Sequence, residues 1–158
     1  MKLTDIVAPT AIVTTLRSNQ RDEVISELID AVIAAGVAPA DLRNDLIAKV
    51  LERERRASTG FGRGVAVPHV KHTRISKVGA AIGLSQSGVE FNALDKQPVY
   101  SIFLLVSPDD KPEQHLQAME VIFKSLSQDT FRRFLRQASC VDDVTTLLEE
   151  ADGHQLGR

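Results

Sequence analysis

Cysteine is scarce in this chain of 158 residues: Cys140 is the only one, so no disulfide can form within the chain. Neither positive nor negative charge is in large excess. The formal net charge of −2 means that the chain has no overall positive field to hold nucleic acid or an anionic membrane. No stretch approaches the ~20 apolar residues of a membrane span. The N-terminal segment, broken early by Asp5 and Pro9, does not resemble a signal peptide. These absences predict a cytoplasmic protein without nucleic-acid binding or membrane insertion.

The composition is that of an ordinary globular domain. Hydrophobic residues make up 43% of the chain and charged residues 25%, which suffices for one sizeable core and gives no sign of disorder. The sequence shows no internal repeat and no low-complexity linker. We therefore expect a single domain over residues 1–152, followed by a frayed C-terminal tail over residues 153–158.

Hydrophobic periodicity indicates alternating helices and strands in the first two thirds of the chain. Apolar residues recur at helical spacing within 24–33 and again within 42–51. Short β-branched segments at Ala11–Leu16 and Val78–Leu84 predict strands. The nearly continuous apolar run Val99–Val106 is typical of a central strand buried on both faces.

The final third of the chain is predicted to be helical. Pro112 opens one amphipathic helix, and Phe131–Ala138 and Val141–Glu150 indicate two more. Strands enclosed by helices from both ends of the chain predict an α/β fold, with a mixed β-sheet flanked by helices on both faces of a single domain.

A glycine-rich segment, Ser58–Gly64, has glycine at every second position over its last five residues, and this pattern predicts a turn. It is not a Walker loop, because Gly64 is followed by Val-Ala-Val instead of Lys and Ser or Thr. It is not a dinucleotide fingerprint either, because the glycines follow a charged helix and precede a strand, the reverse of the required order.

Such a turn can still form a small anion-binding concavity from successive backbone N–H groups. Ser58 and Thr59 add hydroxyl donors, and Arg53 and Arg63 add guanidinium groups. His69 lies nine residues beyond Gly60, at the end of an extended segment. A histidine beside an anion site is suited to carry a phosphoryl group, because its neutral ring is a good nucleophile near pH 7.

Three other histidines have to be weighed. His115 falls in the first turn of the helix that Pro112 opens, so it could lie near His69 or face solvent. His72 is an odd number of residues from His69 in an extended segment, which predicts opposite faces, an exposed ring and no shared metal. His154 falls in the predicted tail. His69 itself could be an ordinary histidine that ends a strand.

One long motif spans the glycine-rich turn and the histidine after it, and it reads Arg53-Glu54-x-x-x-Ser58-Thr59-Gly60-x-Gly62-x-Gly64-Val65-Ala66-Val67-Pro68-His69. Two further pieces follow in order, Phe91-x-Ala93-x-Asp95-x-x-Pro98-Val99 and His115-Leu116. Together they closely resemble the signature of phosphotransferase-system (PTS) enzyme IIA domains of the fructose/mannitol type, which include the nitrogen-regulatory IIA proteins. The resemblance extends over nearly the whole chain.

The resemblance implies a role for each matching residue. His69 would take a phosphoryl group from the phosphocarrier protein HPr, His115 would stabilise or orient that group, and Arg53 would balance its charge. The phosphoryl pocket would be lined by residues of the glycine-rich segment, namely Ser58, Thr59, Gly60 and Gly62. No cofactor and no metal is implied.

Two positions depart from the pattern of the resembling family. Ala57 stands where a glycine is usual, which would strain a left-handed backbone but not an ordinary one. Arg63 stands where a small polar residue is common, and it could tighten phosphate binding or alter the choice of partner. Both histidines and Arg53 are intact, so phosphorylation is expected.

The predicted function is that of a histidine phosphoryl carrier, a component of the phosphotransferase relay and not a free-standing enzyme. It would pass the phosphoryl group to a separate IIB partner in sugar transport, or use it for nitrogen-type regulation. We favour regulation, because the chain shows no linker for fusion. One alternative is a module that is never phosphorylated and senses an anion or docks a protein. A metallohydrolase is the weakest alternative, because the carboxylates lack ligand-like spacing.

Overall fold

A six-stranded mixed sheet organises the chain in the computed structural model, which describes residues 1–156. The strands are β1 (Val7–Val13), β2 (Gly60–Gly62), β3 (Val65–Ala66), β4 (His69–His72), β5 (Gly79–Val89) and β6 (Val99–Pro108). The helices are α1 (Leu3–Ile6), α2 (Arg21–Ala34), α3 (Arg43–Arg56), α4 (Pro112–Leu126), α5 (Asp129–Gln137) and α6 (Val141–Leu156). A short 3₁₀ helix, Ala40–Leu42, precedes α3.

The central strand is β6, as its continuous apolar run predicts. It pairs antiparallel with β5 on one side and parallel with both β3 and β4 on the other. The strands β3 and β4 follow one another along β6 and are separated by Val67 and Pro68, where proline removes a backbone donor. The carbonyl of Pro68 still accepts a hydrogen bond from the N–H of Leu105 at 2.9 Å, so the pairing continues across the break.

Each face of the sheet is covered by its own group of helices. The helices α2 and α3 pack on one face, where their fully buried Ile25, Leu28 and Leu46 meet Ile102 and Leu104 of β6. The helices α1, α4, α5 and α6 cover the opposite face around Phe103 of β6, with an apolar core of their own. Alternate residues of β6 thus enter two separate cores, which explains why the strand is apolar throughout.

The structure confirms the predicted α/β class and differs in some boundaries. The first strand runs from Val7 to Val13 instead of Ala11 to Leu16, and it pairs parallel with β5 at the edge of the sheet. The predicted glycine turn is not wholly irregular, because Gly60–Gly62 forms β2, a short strand antiparallel to β3. Here the hydrogen-bonding partner β3 overrides the weak strand preference of glycine.

The C-terminal helix extends beyond the boundary predicted from the sequence. Helix α6 continues through Gly153 to Leu156, so the end of regular structure does not coincide with residue 152. The last two residues of the predicted tail, at positions 157 and 158, and the side chain of His154 lie outside the described part of the chain. Between residues 1 and 156, none of the helices has the length and apolar character that a bilayer crossing requires.

Candidate functional site

The pleat of β4 determines which side chains face the helix α4. Val70 packs into the core beneath α2 and α3, so its neighbours His69 and Lys71 project from the other face of the sheet. On β6, Leu105 lies opposite His69 and Ser107 lies opposite Lys71. The helix α4 begins four residues after Pro108, the last residue of β6, and thereby brings its first turn over this end of the sheet.

The structure brings the two predicted histidines together. The ring centroids of His69 and His115 are 5.4 Å apart, with the ring planes inclined at 58°. His69 is partly exposed, whereas His115 is buried, with 7% of its surface accessible. The first ring is therefore reachable from solvent and the second forms part of the wall beside it.

The backbone fixes the orientation of the His69 ring. The Nδ1 atom lies 3.0 Å from the carbonyl oxygen of Val67, two residues earlier. Because a carbonyl can only accept a hydrogen bond, Nδ1 carries the proton in this contact. The neutral ring then has its lone pair on Nε2, the atom on the far side, which is the nucleophilic position.

The His115 ring is held by Ser107. Its Nδ1 atom lies 2.7 Å from Oγ of Ser107, a buried hydroxyl on β6. Burial lowers the pKa of His115 from 6.5 to about 4, and the positive charges of a protonated His69 and of Lys71 act in the same direction. His115 is therefore neutral at physiological pH and does not repel a proton or cation near His69.

This lowered pKa makes stability depend on pH. In the unfolded chain His115 takes up a proton below about pH 6.5, whereas in the folded protein it stays neutral down to about pH 4. The unfolded state binds more protons in this interval, so the free energy of unfolding decreases as the pH falls through it. We expect this one group to account for up to about 3 kcal/mol between the two ends of the interval.

Urea unfolding of the wild type and of His115→Gln over the same pH range measures this contribution. Glutamine does not titrate, so the difference in unfolding free energy between the two proteins should shrink as the pH falls. Parallel pH profiles for the two proteins would show that His115 is not held neutral.

The glycine-rich segment folds as a β-hairpin. Its two turn residues, Arg63 and Gly64, have positive φ values of 61° and 77°, the combination that two-residue turns matching the twist of a hairpin require. Gly62, before them, has φ of 114°, which excludes most side chains. A Cβ atom on Gly60 would lie 2.9 Å from Cβ of Ala93, so glycine is needed there for close packing. The backbone conformation and the close packing at these positions therefore account for the glycines.

Three of the donors in the predicted phosphoryl pocket already donate to acceptors of the protein itself. The backbone N–H and the hydroxyl of Thr59 both donate to the carboxylate of Glu54, which is 3% exposed. The N–H of Gly60 donates to Oγ of Ser58 at 3.0 Å. These groups stabilise the loop itself, and contact of Ser58, Thr59, Gly60 and Gly62 with a phosphoryl group stays a prediction.

Arg53 lies at the end of α3, where its Nη1 atom donates to the carbonyl oxygen of Ala57 at 2.7 Å. This bond joins the last turn of the helix to the residue that directly follows it and holds the guanidinium at the start of the hairpin segment. The assigned role of Arg53 in balancing phosphoryl charge stays a prediction. The backbone at Ala57 is extended, with φ of −164°, so alanine in place of glycine causes no strain.

The prediction that His72 is exposed is wrong. Its side chain is 12% exposed, and Nε2 lies 2.8 Å from Oδ2 of Asp45 on α3. The prediction that it faces away from His69 is confirmed, since α3 covers the opposite face of the sheet. A carboxylate from a helix distant in sequence covers the ring, and strand alternation alone does not reveal such a partner.

Three residues near the site were not singled out from the sequence. Lys71 shares a face with His69, which the period of two in a strand would have indicated once β4 was recognised. Ser107 has no sequence signal apart from its place at the end of a buried strand. Glu54 belongs to the motif, but only its burial shows that it secures Thr59.

Comparison with known proteins agrees with this geometry. The model of the family described as "Phosphoenolpyruvate-dependent sugar phosphotransferase system, EIIA 2" matches residues 5–151. The chain belongs to this family. Membership confirms the predicted role as a phosphoryl carrier of the phosphotransferase system.

Relatives of this EIIA domain include both sugar-specific and regulatory proteins. A fructose-specific EIIA component of Haloferax volcanii is 32% identical, with 82% of this chain and 83% of the relative covered. A nitrogen regulatory protein of Bradyrhizobium diazoefficiens is 30% identical, with 94% and 95% covered. A fructose-specific EIIABC component of Bacillus subtilis is 28% identical, and the chain spans about a quarter of its length.

The fold of the EIIA domain is shared with solved structures. The nitrogen regulatory protein IIA-Ntr from Neisseria meningitidis superposes with a TM-score of 0.82 at 26% identity, covering 91% of this chain and 97% of that one. The IIA mannitol domain from Escherichia coli has the same fold, with a TM-score of 0.75 at 19% identity and coverage of 89% and 97%.

Proposed function

We propose that the phosphoryl group is accepted by Nε2 of His69 from phosphorylated HPr. The observation that supports this most is the contact of Nδ1 with the carbonyl oxygen of Val67, which leaves Nε2 unprotonated on a partly exposed ring. In the transfer, the Nε2 lone pair forms the new N–P bond while the N–P bond of the donor breaks. The electron pair of that bond returns to the donor imidazole, and the Nδ1 proton of His69 stays in its hydrogen bond.

His115 and Lys71 are suited to receive the charge that arrives. A phosphoryl group brings about −1.5 to −2 charge at pH 7. If the hydroxyl of Ser107 donates to Nδ1 of His115, the single proton of that neutral ring lies on Nε2 and can donate to a phosphoryl oxygen. Lys71 adds a positive charge from the same face of β4. A neutral donor and a mobile cation stabilise the group without trapping it, which a relay requires.

Exposed apolar side chains on the hairpin and on α4 favour a protein as the donor. Phe61 of the hairpin lies against Phe123 of α4, with ring centroids 4.9 Å apart, and both rings are about one-third exposed. Leu116, directly after His115, is 67% exposed. Exposed apolar side chains on the helix that carries His115 are typical of a docking surface for a protein partner.

A phosphorelay assay tests this proposal. The purified chain is incubated with phosphoenolpyruvate, enzyme I and HPr, and its mass is measured with and without subsequent acid treatment. We expect one added phosphoryl group that acid removes, since a phosphohistidine is acid-labile. No added mass with active donors would favour the alternative of a module that binds an anion or protein without being phosphorylated.

We further propose a regulatory, nitrogen-type role in preference to sugar uptake. The Bradyrhizobium and Neisseria proteins, both named for nitrogen regulation, align with more than nine-tenths of this chain and of their own length. The labelled chain is mixed with the IIB proteins of the same organism. Retention of the label supports regulation, and rapid transfer to a IIB protein of a sugar permease contradicts it.

A further inference from the structure

A cleft rich in arginine lies away from the two histidines. It encloses about 660 Å³ between the hairpin turn and α5, and four arginines and one aspartate line most of it. The lining residues are Arg63, Asp129, Arg132, Arg133, Arg136 and Gln137. This concentration of positive charge contrasts with the net charge of −2 for the whole chain.

The arginines of the cleft differ in how they are held. Arg132 donates to the carbonyl oxygen of Leu126 at 2.7 Å and pairs with Asp129, so its charge is balanced. Arg136 lies over the ring of Tyr100, 3.7 Å from the centroid, a stacking that orients its guanidinium without neutralising it. Within residues 1–156, Arg63, Arg133 and Arg136 have no hydrogen bond or ion pair from their side chains to another described residue.

The backbone conformation of Arg63 is that of the hairpin turn. Its φ of 61° lies in the left-handed region, which costs energy for any residue with a Cβ atom, and its neighbour Gly64 shows what such a turn prefers. Asn92 and Lys96 have positive φ values of 58° and 61° as well, so this conformation by itself does not indicate a function. The turn places the guanidinium of Arg63 at the rim of the cleft, opposite those of α5.

The cleft is separate from the phosphoryl-transfer site. Tyr100, beneath Arg136, and Leu105, opposite His69, are five residues apart on β6, which corresponds to about 16 Å along a strand. A ligand in the cleft would therefore not occupy the position of a phosphoryl group on His69.

We propose that this cleft binds a small anion with a chain of two or more phosphates. The combined positive charge of three unneutralised guanidinium groups is larger in magnitude than the charge of a single phosphate, which is about −1.5 to −2 at pH 7. It matches the charge of a diphosphate or triphosphate. The planar guanidinium fork binds phosphate oxygens in pairs. The phosphate chain could belong to a nucleotide or to inorganic polyphosphate, and the recognised chemistry is the same.

Calorimetric titration of the full chain with tripolyphosphate, ATP and AMP tests the proposal. We expect binding of tripolyphosphate and ATP that weakens with added salt, and much weaker binding of AMP. ATP binding tighter than tripolyphosphate identifies a nucleotide as the source of the phosphates, and equal binding identifies the phosphate chain alone. If neither tripolyphosphate nor ATP binds at millimolar concentration and low salt, the proposal is overturned. This holds even if the cleft is found to bind an acidic protein.

Arg63→Gly separates binding from folding. Glycine relieves the left-handed strain, so the Tm should be no lower than that of the wild type, while tripolyphosphate binding should weaken by about tenfold or more. Arg133→Gln, on the exposed side of α5, should weaken tripolyphosphate binding to a similar extent. Because this variant leaves the hairpin unchanged, it tests the cleft independently of the hairpin. Arg55→Gln, an exposed arginine on α3, is the matched control and should bind as the wild type does. Wild-type affinity in both cleft variants overturns the proposal.

The phosphorelay assay tests whether the cleft acts apart from His69. Arg133→Gln should still accept a phosphoryl group, because α5 contributes no residue to the histidine site. Labelling that persists while tripolyphosphate binding is lost supports two sites. Loss of labelling together with loss of tripolyphosphate binding in this variant contradicts the separation.

Discussion

Replacement of His69 by alanine is expected to abolish labelling by phosphorylated HPr, with no detectable mass increase after prolonged incubation. The variant lacks the partly exposed ring whose Nε2 is unprotonated, and the His115 that remains is buried, with its Nδ1 atom bonded to Ser107. The fold should persist, because His69 is partly exposed and its side chain makes one backbone hydrogen bond. Mass spectrometry of the intact protein and circular dichroism measure the two outcomes.

His72→Gln is the matched control for this experiment. It removes an imidazole from the same strand, three residues away, whose side chain faces α3 and pairs with Asp45. This variant should accept the phosphoryl group to the same extent as the wild type, with at most a small loss of stability. Labelling that survives in His69→Ala, or disappears only in His72→Gln, would refute the assignment of the acceptor.

Replacement of His115 by alanine is expected to slow phosphoryl transfer by about a hundredfold without preventing labelling. Loss of one preorganised donor to a developing negative charge has an effect of this size. His69 keeps its own orientation in the variant, because its ring is held by the carbonyl of Val67 and not by His115. Rapid-quench kinetics with phosphorylated HPr gives the rate, and the decay of the labelled chain gives the lifetime of the phosphohistidine.

Ser107→Ala distinguishes a donor role of His115 from simple packing. This variant keeps the ring but removes the hydroxyl 2.7 Å from its Nδ1 atom, so the position of the ring proton is no longer fixed. We expect a smaller slowing in the same direction as for His115→Ala. Transfer at the wild-type rate in both directions in His115→Ala would show that the second histidine has no part in the chemistry.

Strong local patterns made the framework of the fold predictable from sequence. The run Val99–Val106 can be buried on both sides only in the middle of a sheet, and it became β6. Pro112 fixed the start of α4 and placed His115 in its first turn. The proximity of His69 and His115 did not follow from spacing, because it depends on the parallel pairing of β4 with β6. The family resemblance supplied that link.

The glycine-rich segment was harder to predict because its donors have competing acceptors. A sequence shows hydroxyl and N–H groups that could bind an anion, but it does not show that Glu54 is buried and occupies those of Thr59. Partners brought close only by the tertiary fold cannot be read from neighbouring positions. The same reason explains the pairing of His72 with Asp45, which are 27 residues apart.

The nitrogen that carries the phosphoryl group tests the account most directly. ¹⁵N NMR of the chain labelled at its histidines, recorded before and after phosphorylation, identifies the substituted atom of His69. The contact of Nδ1 with the carbonyl oxygen of Val67 predicts phosphorylation at Nε2, with the Nδ1 proton retained. A phosphoryl group on Nδ1, or on any histidine other than His69, would contradict it.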